Sequence, residues 1–281
     1  MSAARASLRE RAERLRALHQ GPEPLVLVNA WDAASAALVE AAGFPAVATS
    51  SAGVANSLGV PDGEALTREE MLGVVARIAR TVRVPVTADV EAGYGTDAGA
   101  AAATARALLQ ADAVGMNLED SRDRGARLFG LELQVERIRA VREVGAAGGV
   151  PIVINARTDV FQVAEVPAAQ KVAETVRRGN AYLHAGADCV FVPFLYDAPT
   201  IGAVVRGIAG PVNILAVPGA PPLAELAGLG VRRVSLGSGP MRAAMGRLRR
   251  IARDIKAGGG YASFTEDAIS YAEMQKLFEN R

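Results

Sequence analysis

"LLQADAVGMNLED", Leu108 to Asp120, holds one complete structural sentence. A helical end rich in Leu and Ala meets a small-residue stop, and a short apolar run then finishes on Asn, Glu and Asp. A helix closes, a buried strand follows, and acids stand at its carboxyl end. The same order recurs in "EAAGFPAVATSS" (Glu40–Ser51), "LHAGADCVFVPF" (Leu183–Phe194) and "LAGLGVRRVSLGS" (Leu226–Ser238).

Working outward, the remaining apolar runs complete eight strand candidates: "PLVLVN", "AVATS", "VPVTAD", "AVGMNLE", "PIVINAR", "CVFVP", "PVNILAV" and "RRVSLG". Helical patterns separate them, around residues 32–43, 67–82, 97–111, 131–147, 166–185, 197–208, 221–228 and 239–257. Eight alternations predict an α/β fold, a (β/α)8 TIM barrel over about residues 22–257. A doubly wound open sheet is the competitor, but it needs fewer strands and a Gly-rich first turn, which "VNAWDAAS" is not. Residues 1–281 read as a single domain with an N-terminal helix and a C-terminal helical extension over 258–281. In that tail a Gly-rich hinge precedes a helix start at Thr265 and an amphipathic stretch with Ile269, Tyr271, Met274 and Leu277, which needs a surface to cover it.

The chain has 281 residues, half of them apolar, with 31 Lys plus Arg against 30 Asp plus Glu. It can bury a full core, and it lacks the charge excess that recommends a nucleic acid or a membrane surface as partner. The single cysteine, Cys189, allows no intrachain disulfide. The leading helix lacks an apolar segment of the signal-peptide kind and no run is long enough to span a bilayer, so a cytoplasmic protein is expected. His19, His184, Lys171, Lys256 and Lys276 all fall in helix-like sequence, away from strand ends.

In a barrel the site is built at the carboxyl ends of the strands. Those positions are Asn29, Trp31 and Asp32; Ser50, Ser51 and Ala52; Asp89 and Glu91; Asn117, Glu119 and Asp120; Arg157 and Asp159; and Asn213. Asp89 and Glu91 alone could cap a helix or face solvent. With Glu119 on the next strand, three acids converge on one mouth and repel one another unless a cation sits among them. Oxygen donors predict a hard ion, Mg2+, with Mn2+ as substitute. Arg157 is suited to forking a substrate carboxylate, or to a structural ion pair. Backbone N–H groups at Ser50 to Ala52 could cradle an oxyanion, and Asp62 in "GVPDGE" is a further acid or a turn residue. Trp31 lines the pocket or packs beneath a loop.

These residues in this order resemble the isocitrate lyase / phosphoenolpyruvate mutase superfamily, over about residues 22–250. The family's acid-x-acid-x-Gly-Tyr/Phe-Gly segment is matched by Asp89, Glu91, Gly93, Tyr94 and Gly95. Its Glu-Asp pair is matched by Glu119 and Asp120, and its "ARTD" by Ala156, Arg157, Thr158 and Asp159. The segment "SSAGVANSLGVPD" resembles the one that binds a 2-oxo carboxylate. The resemblance implies that Asp89, Glu91, Glu119 and Asp62 hold Mg2+ and that Ser50, Ser51, Ala52 and Arg157 hold substrate. It also implies a homotetramer whose C-terminal helices are swapped between subunits. The loop after the Glu-Asp pair, "EDSRDRGARLFGLE", departs from the lyases, because it has no Lys-Cys-Gly-His motif to supply a general acid or base.

The expected activity is that of a metal-dependent carbon–carbon lyase or decarboxylase. Its substrate is a small 2-oxo or 2-hydroxy di- or tricarboxylate, such as oxaloacetate or methylisocitrate, handled through a metal-chelated enolate. Decarboxylation needs no base to start it, whereas retro-aldol cleavage needs one, to be found in Tyr94, Glu119 or a water. Arg157, Glu119 and Tyr94 are the catalytic candidates, and Asp89, Asn213 and Trp31 join the substrate-binding set. Arg122, Arg124 and Arg127 could close over a second carboxylate. The alternatives are a catalytically degenerate binding protein for 2-oxoglutarate or oxaloacetate, a phosphonopyruvate- or phosphoenolpyruvate-type mutase or hydrolase, and a phosphate-sugar barrel using Gly237, Ser238 and Gly239 as a nest.

Overall fold

The first strand candidate splits in two: β1 is Leu25–Leu27, Val28 interrupts, and β2 is Asn29–Ala30. There follow β3 (Val47–Thr49), β4 (Val86–Asp89), β5 (Gly115–Glu119), β6 (Ser121–Arg122), β7 (Arg127–Leu128), β8 (Val153–Arg157), β9 (Cys189–Val192), β10 (Val212–Leu215) and β11 (Arg233–Ser235). The computed structural model describes residues 7–122 and 125–279.

Nine strands form one sheet in the order β1-β11-β10-β9-β8-β5-β4-β3-β2, with every pairing parallel. β1 pairs with β11 and β2 pairs with β3, so one short stretch of chain carries both ends of the ladder and closes the ring. The (β/α)8 TIM barrel read from the eight runs is thereby realised. β6 and β7 are a separate antiparallel hairpin after the fourth strand position, where a loop is expected from the sequence.

Each ring strand leads into a helix: Ala33–Ala41, Ser51–Ser57 with Arg68–Thr81, Ala98–Gln110, Leu131–Ala147, Lys171–His184, Ala198–Gly207, Leu223–Gly228 and Gly239–Lys256. Local chemistry sets their starts. Thr67 and Glu70 form a reciprocal capping box at the head of Arg68–Thr81, a device that contributes about 1 kcal/mol. The same helix buries Leu72, Val75 and Ile78 against the sheet, each worth about 1.5–3 kcal/mol.

The leading helix, Leu8–Leu18, plugs the amino-terminal end of the barrel. Ala12 and Leu15 pack with Leu25, Leu27, Ala48 and Val153. Gly115 has to be glycine for this reason, since a Cβ there would lie 2.7 Å from a Leu15 methyl. At the other terminus the expected helix start at Thr265 is corrected. Thr265 ends the short helix Ala262–Thr265, Asp267 takes a left-handed φ of 57°, and Ser270 with Glu273 caps a new helix at Tyr271–Lys276. Among the described residues, no helix is long and apolar enough to cross a membrane.

Candidate active site at the barrel mouth

At the carboxyl ends of the strands lies a cavity of about 450 Å³, and its walls include Asn29, Ser50, Ser51, Ala52, Asp62, Asp89, Asn117 and Arg157. The parallel register brings them there: Thr87, Ala88 and Asp89 face Gly115, Met116 and Asn117, and Glu119 faces Arg157.

Asp89 is anchored through Ser51. One of its oxygens accepts the Ser51 N–H at 3.1 Å and the Ser51 hydroxyl at 3.0 Å. The other, Oδ1, is buried with no hydrogen-bond partner among the described residues. An orphaned carboxylate oxygen on a cavity wall is the donor a hard cation requires, and Asp62 shares that wall. Burial, then the charge of Asp89, raises the Asp62 carboxyl above its ordinary range.

Of the four acids expected to hold the ion, Glu91 and Glu119 are bonded to the protein's own groups. Among the described residues, no group of three or more His, Cys, Asp or Glu side chains is assembled to hold an ion. Glu91 sits at a left-handed φ of 51°, which turns its carboxylate to the Glu64 N–H at 2.6 Å. Burial, followed by Asp62 and Asp89, pushes that carboxyl up to about 8. Glu119 stands opposite Arg157 in register and pairs with it at 2.8 Å. Asp89 and Asp62 are the acids that face the cavity.

Arg157 forms the structural ion pair the sequence allowed, and it also reaches the cavity. Its Nη1 meets Glu119 and its Nε meets Asp159 at 2.7 Å, yet the residue still lines the cavity, and its Nη2 has no partner among the described residues. Burial works against its charge, but Glu119, Asp159 and Asp89 outweigh it and keep the group above the ordinary arginine value. Asp120, next to Glu119, is a buried structural hub that accepts bonds from Thr158, Tyr182, Arg178 and the Asp159 N–H.

The expected oxyanion cradle is only partly free. Ser50 donates its N–H to the Ala30 carbonyl and Ser51 gives its own to Asp89. The Ala52 N–H makes no hydrogen bond among the described residues. The Gly237–Gly239 turn lines the cavity too, but the N–H groups of Leu236 and Gly237 both go to Asn29 Oδ1 at 2.9 Å.

Three expected site residues lie elsewhere. Trp31 packs with Val54, Ala55, Leu66 and Met71, beneath the loop. Asn213 is the second residue of β10 rather than its last, so it is fully buried, bonded to Ser235. The Tyr94 hydroxyl is buried without a partner among the described residues, and burial and four surrounding acids hold its proton more tightly than usual. Of the loop arginines, Arg122 and Arg127 are exposed and off the cavity, and Arg124 lies outside the described residues.

Sequence reading missed the opposite wall: Phe191, Pro193, Phe194 and Tyr196 after the sixth ring position, with Leu215, Val217 and Arg242. The aromatic cluster in "FVPFLYD" was the available signal. The Arg242 guanidinium makes no hydrogen bond or ion pair among the described residues and so offers a cation at this wall. The arrangement thus has one anionic corner able to take a cation, donors for a carboxylate beside it, and an apolar lid opposite.

The chain is similar in sequence and fold to known proteins. A solved structure described as a lyase/mutase from Burkholderia cenocepacia J2315 superposes with a TM-score of 0.89 at 36% identity, over 97% of this chain and 96% of that one. The 2-methylisocitrate lyase of Escherichia coli K12 is 33% identical over 218 residues, covering 74% of this chain and 69% of that protein. A phosphonopyruvate hydrolase structure, in complex with oxalate and Mg2+, superposes with a TM-score of 0.82 at 28% identity, over 95% and 94% of the two chains. The family model for phosphoenolpyruvate phosphomutase matches residues 15–256, which take in every strand of the ring, and the chain therefore belongs to the isocitrate lyase / phosphoenolpyruvate mutase superfamily.

Proposed function

We propose that the mouth cavity binds a small 2-oxo or 2-hydroxy di- or tricarboxylate and that the protein is a carbon–carbon lyase or decarboxylase working through the enolate. The observation that carries this is the Asp89 Oδ1 beside Asp62, on a wall shared with Arg157 and the Ala52 N–H; among the described residues neither that oxygen nor that N–H has a partner. Asp89 and Asp62 would hold Mg2+, and when bound the ion supplies Lewis acidity to the 2-oxo group. That a related phosphonopyruvate hydrolase structure contains oxalate and Mg2+ supports the choice of ion.

The chain's own groups divide the remaining work. The Nη2 of Arg157 and the Ala52 N–H hold the carboxylate next to the reacting carbon. Phe191, Phe194 and Pro193 keep water from the developing enolate. Arg242 meets a second carboxylate, the task first given to Arg122, Arg124 and Arg127. Proton handling favours decarboxylation: Tyr94 is off the cavity, Glu119 is tied to Arg157, and the 120–130 loop has no Cys, Lys or His. Those same absences favour, as a second reading, a binding protein that holds a 2-oxo acid without turnover. Phosphonopyruvate or phosphoenolpyruvate chemistry is the third reading.

One experiment separates them. Purified protein with Mg2+ is offered oxaloacetate, 2-methylisocitrate, dimethylmalate and phosphonopyruvate while pyruvate is followed. Release above the metal-only rate is expected from a carboxylate member of the panel, and Asp89→Ala is expected to abolish both release and Mg2+ binding. No release from any member leaves the binding reading, and an Asp89→Ala protein that keeps both properties moves the ion elsewhere. The protein is further read as a homo-oligomer, dimer or tetramer, because apolar side chains of its last helices are left uncovered on one subunit.

A further inference from the structure

Beneath the cavity, inside the barrel, Arg233 is a guanidinium with no carboxylate paired to it among the described residues. It is 1% exposed, and all its partners among the described residues are neutral. Its Nε donates to Ser235 Oγ at 3.4 Å and its Nη2 to Asn117 Oδ1 at 3.4 Å, while Nη1 has no partner among the described residues. The ring order runs β11-β10-β9-β8-β5 one way and β11-β1/β2-β3-β4-β5 the other, so Asn117 stands on the strand diametrically opposite. The side chain therefore crosses the barrel axis, directly under the floor that Asn117 and Ser235 supply to the cavity.

Two consequences follow for that floor. Asn117 Oδ1 also accepts from Asn155 Nδ2 at 2.7 Å, and because a guanidinium only donates, the amide orientation is fixed. With its oxygen held from below, Asn117 turns both N–H donors to the cavity, where they have no partner among the described residues. The second consequence is electrostatic. His19 and Cys189, the titratable neighbours of Arg233 low in the barrel, are both neutral: burial lowers the histidine to about 4 and raises the thiol to about 12. The carboxylate whose charge Arg233 feels is Asp89, on the cavity wall. A buried cation this poorly compensated is costly to fold around, and such a cost is commonly met at functional sites.

We propose that Arg233 is a positioning residue of the oxoacid site, holding the Asn117 donors toward the cavity and placing a positive charge beneath the bound anion. The inference rests on the reading that this cavity takes a 2-oxo carboxylate. A merely structural arginine and a positioning one differ in what their loss does. Arg233→Met leaves Asn117 with Asn155 and Ser235 with Asn213, so it orphans neither neighbour, and it removes an expensive buried charge.

Oxalate, a planar dianion of enolate shape, is the probe, titrated by calorimetry in the presence of Mg2+ into wild type, Arg233→Met, Arg233→Lys, Asn117→Ala and the Arg233→Met/Asn117→Ala double variant. Arg233→Met is expected to bind about tenfold more weakly, with a melting temperature equal to or above wild type. Arg233→Lys recovers part of the affinity, and the double variant binds no worse than Asn117→Ala alone, because the two act through one amide. Arg233→Met that melts lower but binds oxalate like wild type makes the residue structural and overturns the proposal. If that variant does not fold, Asn117→Ala decides: wild-type affinity there also overturns it. Wild type that binds no oxalate sinks the oxoacid reading and this inference with it, whereas wild-type binding with unaffected variants sinks the inference alone.

Discussion

His19 follows the last residue of the N-terminal helix, under the barrel, where its Nδ1 donates to the Leu15 carbonyl at 2.8 Å and its Nε2 has no partner among the described residues. Burial, and then the charge of Arg233, lowers its pKa from 6.5 to about 4. As pH falls the unfolded chain therefore takes up this proton first, so the stability tied to neutral His19 is complete above about 6.5 and declines until pH about 4. The loss amounts to about 3 kcal/mol. His19→Gln keeps a donor for Leu15 but cannot ionise, and its stability relative to wild type should improve by that amount between pH 7.5 and pH 4 in urea unfolding; a constant difference would refute the assignment. The sequence placed His19 in the leading helix and away from catalysis, but the cation above it was not readable. Arg233 sits in the middle of a strand run, and only closure of the ring shows that its side chain turns inward and reaches a strand on the far side.

The turn "EAGYG" and the loop "PDGE" lock together as elements. The Glu64 N–H bonds to Glu91, Glu64 in return accepts the Tyr94 N–H at 2.7 Å, and Glu64, Glu91 and Tyr94 all hold left-handed φ values without being glycine. Strain gathered at one contact is characteristic of a site whose geometry is imposed by its surroundings, and here it positions Asp62 and Asp89 on one wall. Gly95 makes the turn possible: a Cβ would come within 2.5 Å of the Ala100 Cβ, at a φ of 151°. Gly95→Ala should cost about 1–3 kcal/mol, seen as a melting temperature lower by roughly 2–4 °C per kcal/mol. A variant melting with wild type would show that the following helix can yield. The motif itself, with Asp89, Glu119 and Arg157, was legible because acids and an arginine at strand ends need only the helix–strand alternation to be placed. The fate of Glu91 was not legible, since a single backbone angle diverts its carboxylate from the mouth to the 61–64 loop. Asn213 was misplaced for a related reason: an apolar run does not say which of its residues is the last one paired.

On the scale of the whole molecule, the eight-fold alternation gave the barrel from sequence because parallel strands buried on both faces read as apolar runs. The tail was less readable, and its break at Asp267 divides what had looked like one helix. Leu248, Tyr261, Phe264, Ile269 and Tyr271 are exposed on the single chain, Tyr261 to 70% and Tyr271 to 81%. If a second subunit covers them, a chain ending at Lys256 should fall to a smaller assembly by light scattering while keeping its far-ultraviolet spectrum. A full-length chain that is monomeric at micromolar concentration would refute that arrangement. Closure of the ring has a further outcome, for the order in which the protein acquires its shape. β1 can complete its ladder only when Arg233–Ser235 is present, and those partners are separated by most of the chain. During synthesis from the amino terminus, the first strand must wait with one edge open until the last has emerged. This is a late, long-range step that slows folding and leaves a pairing edge exposed until it is complete.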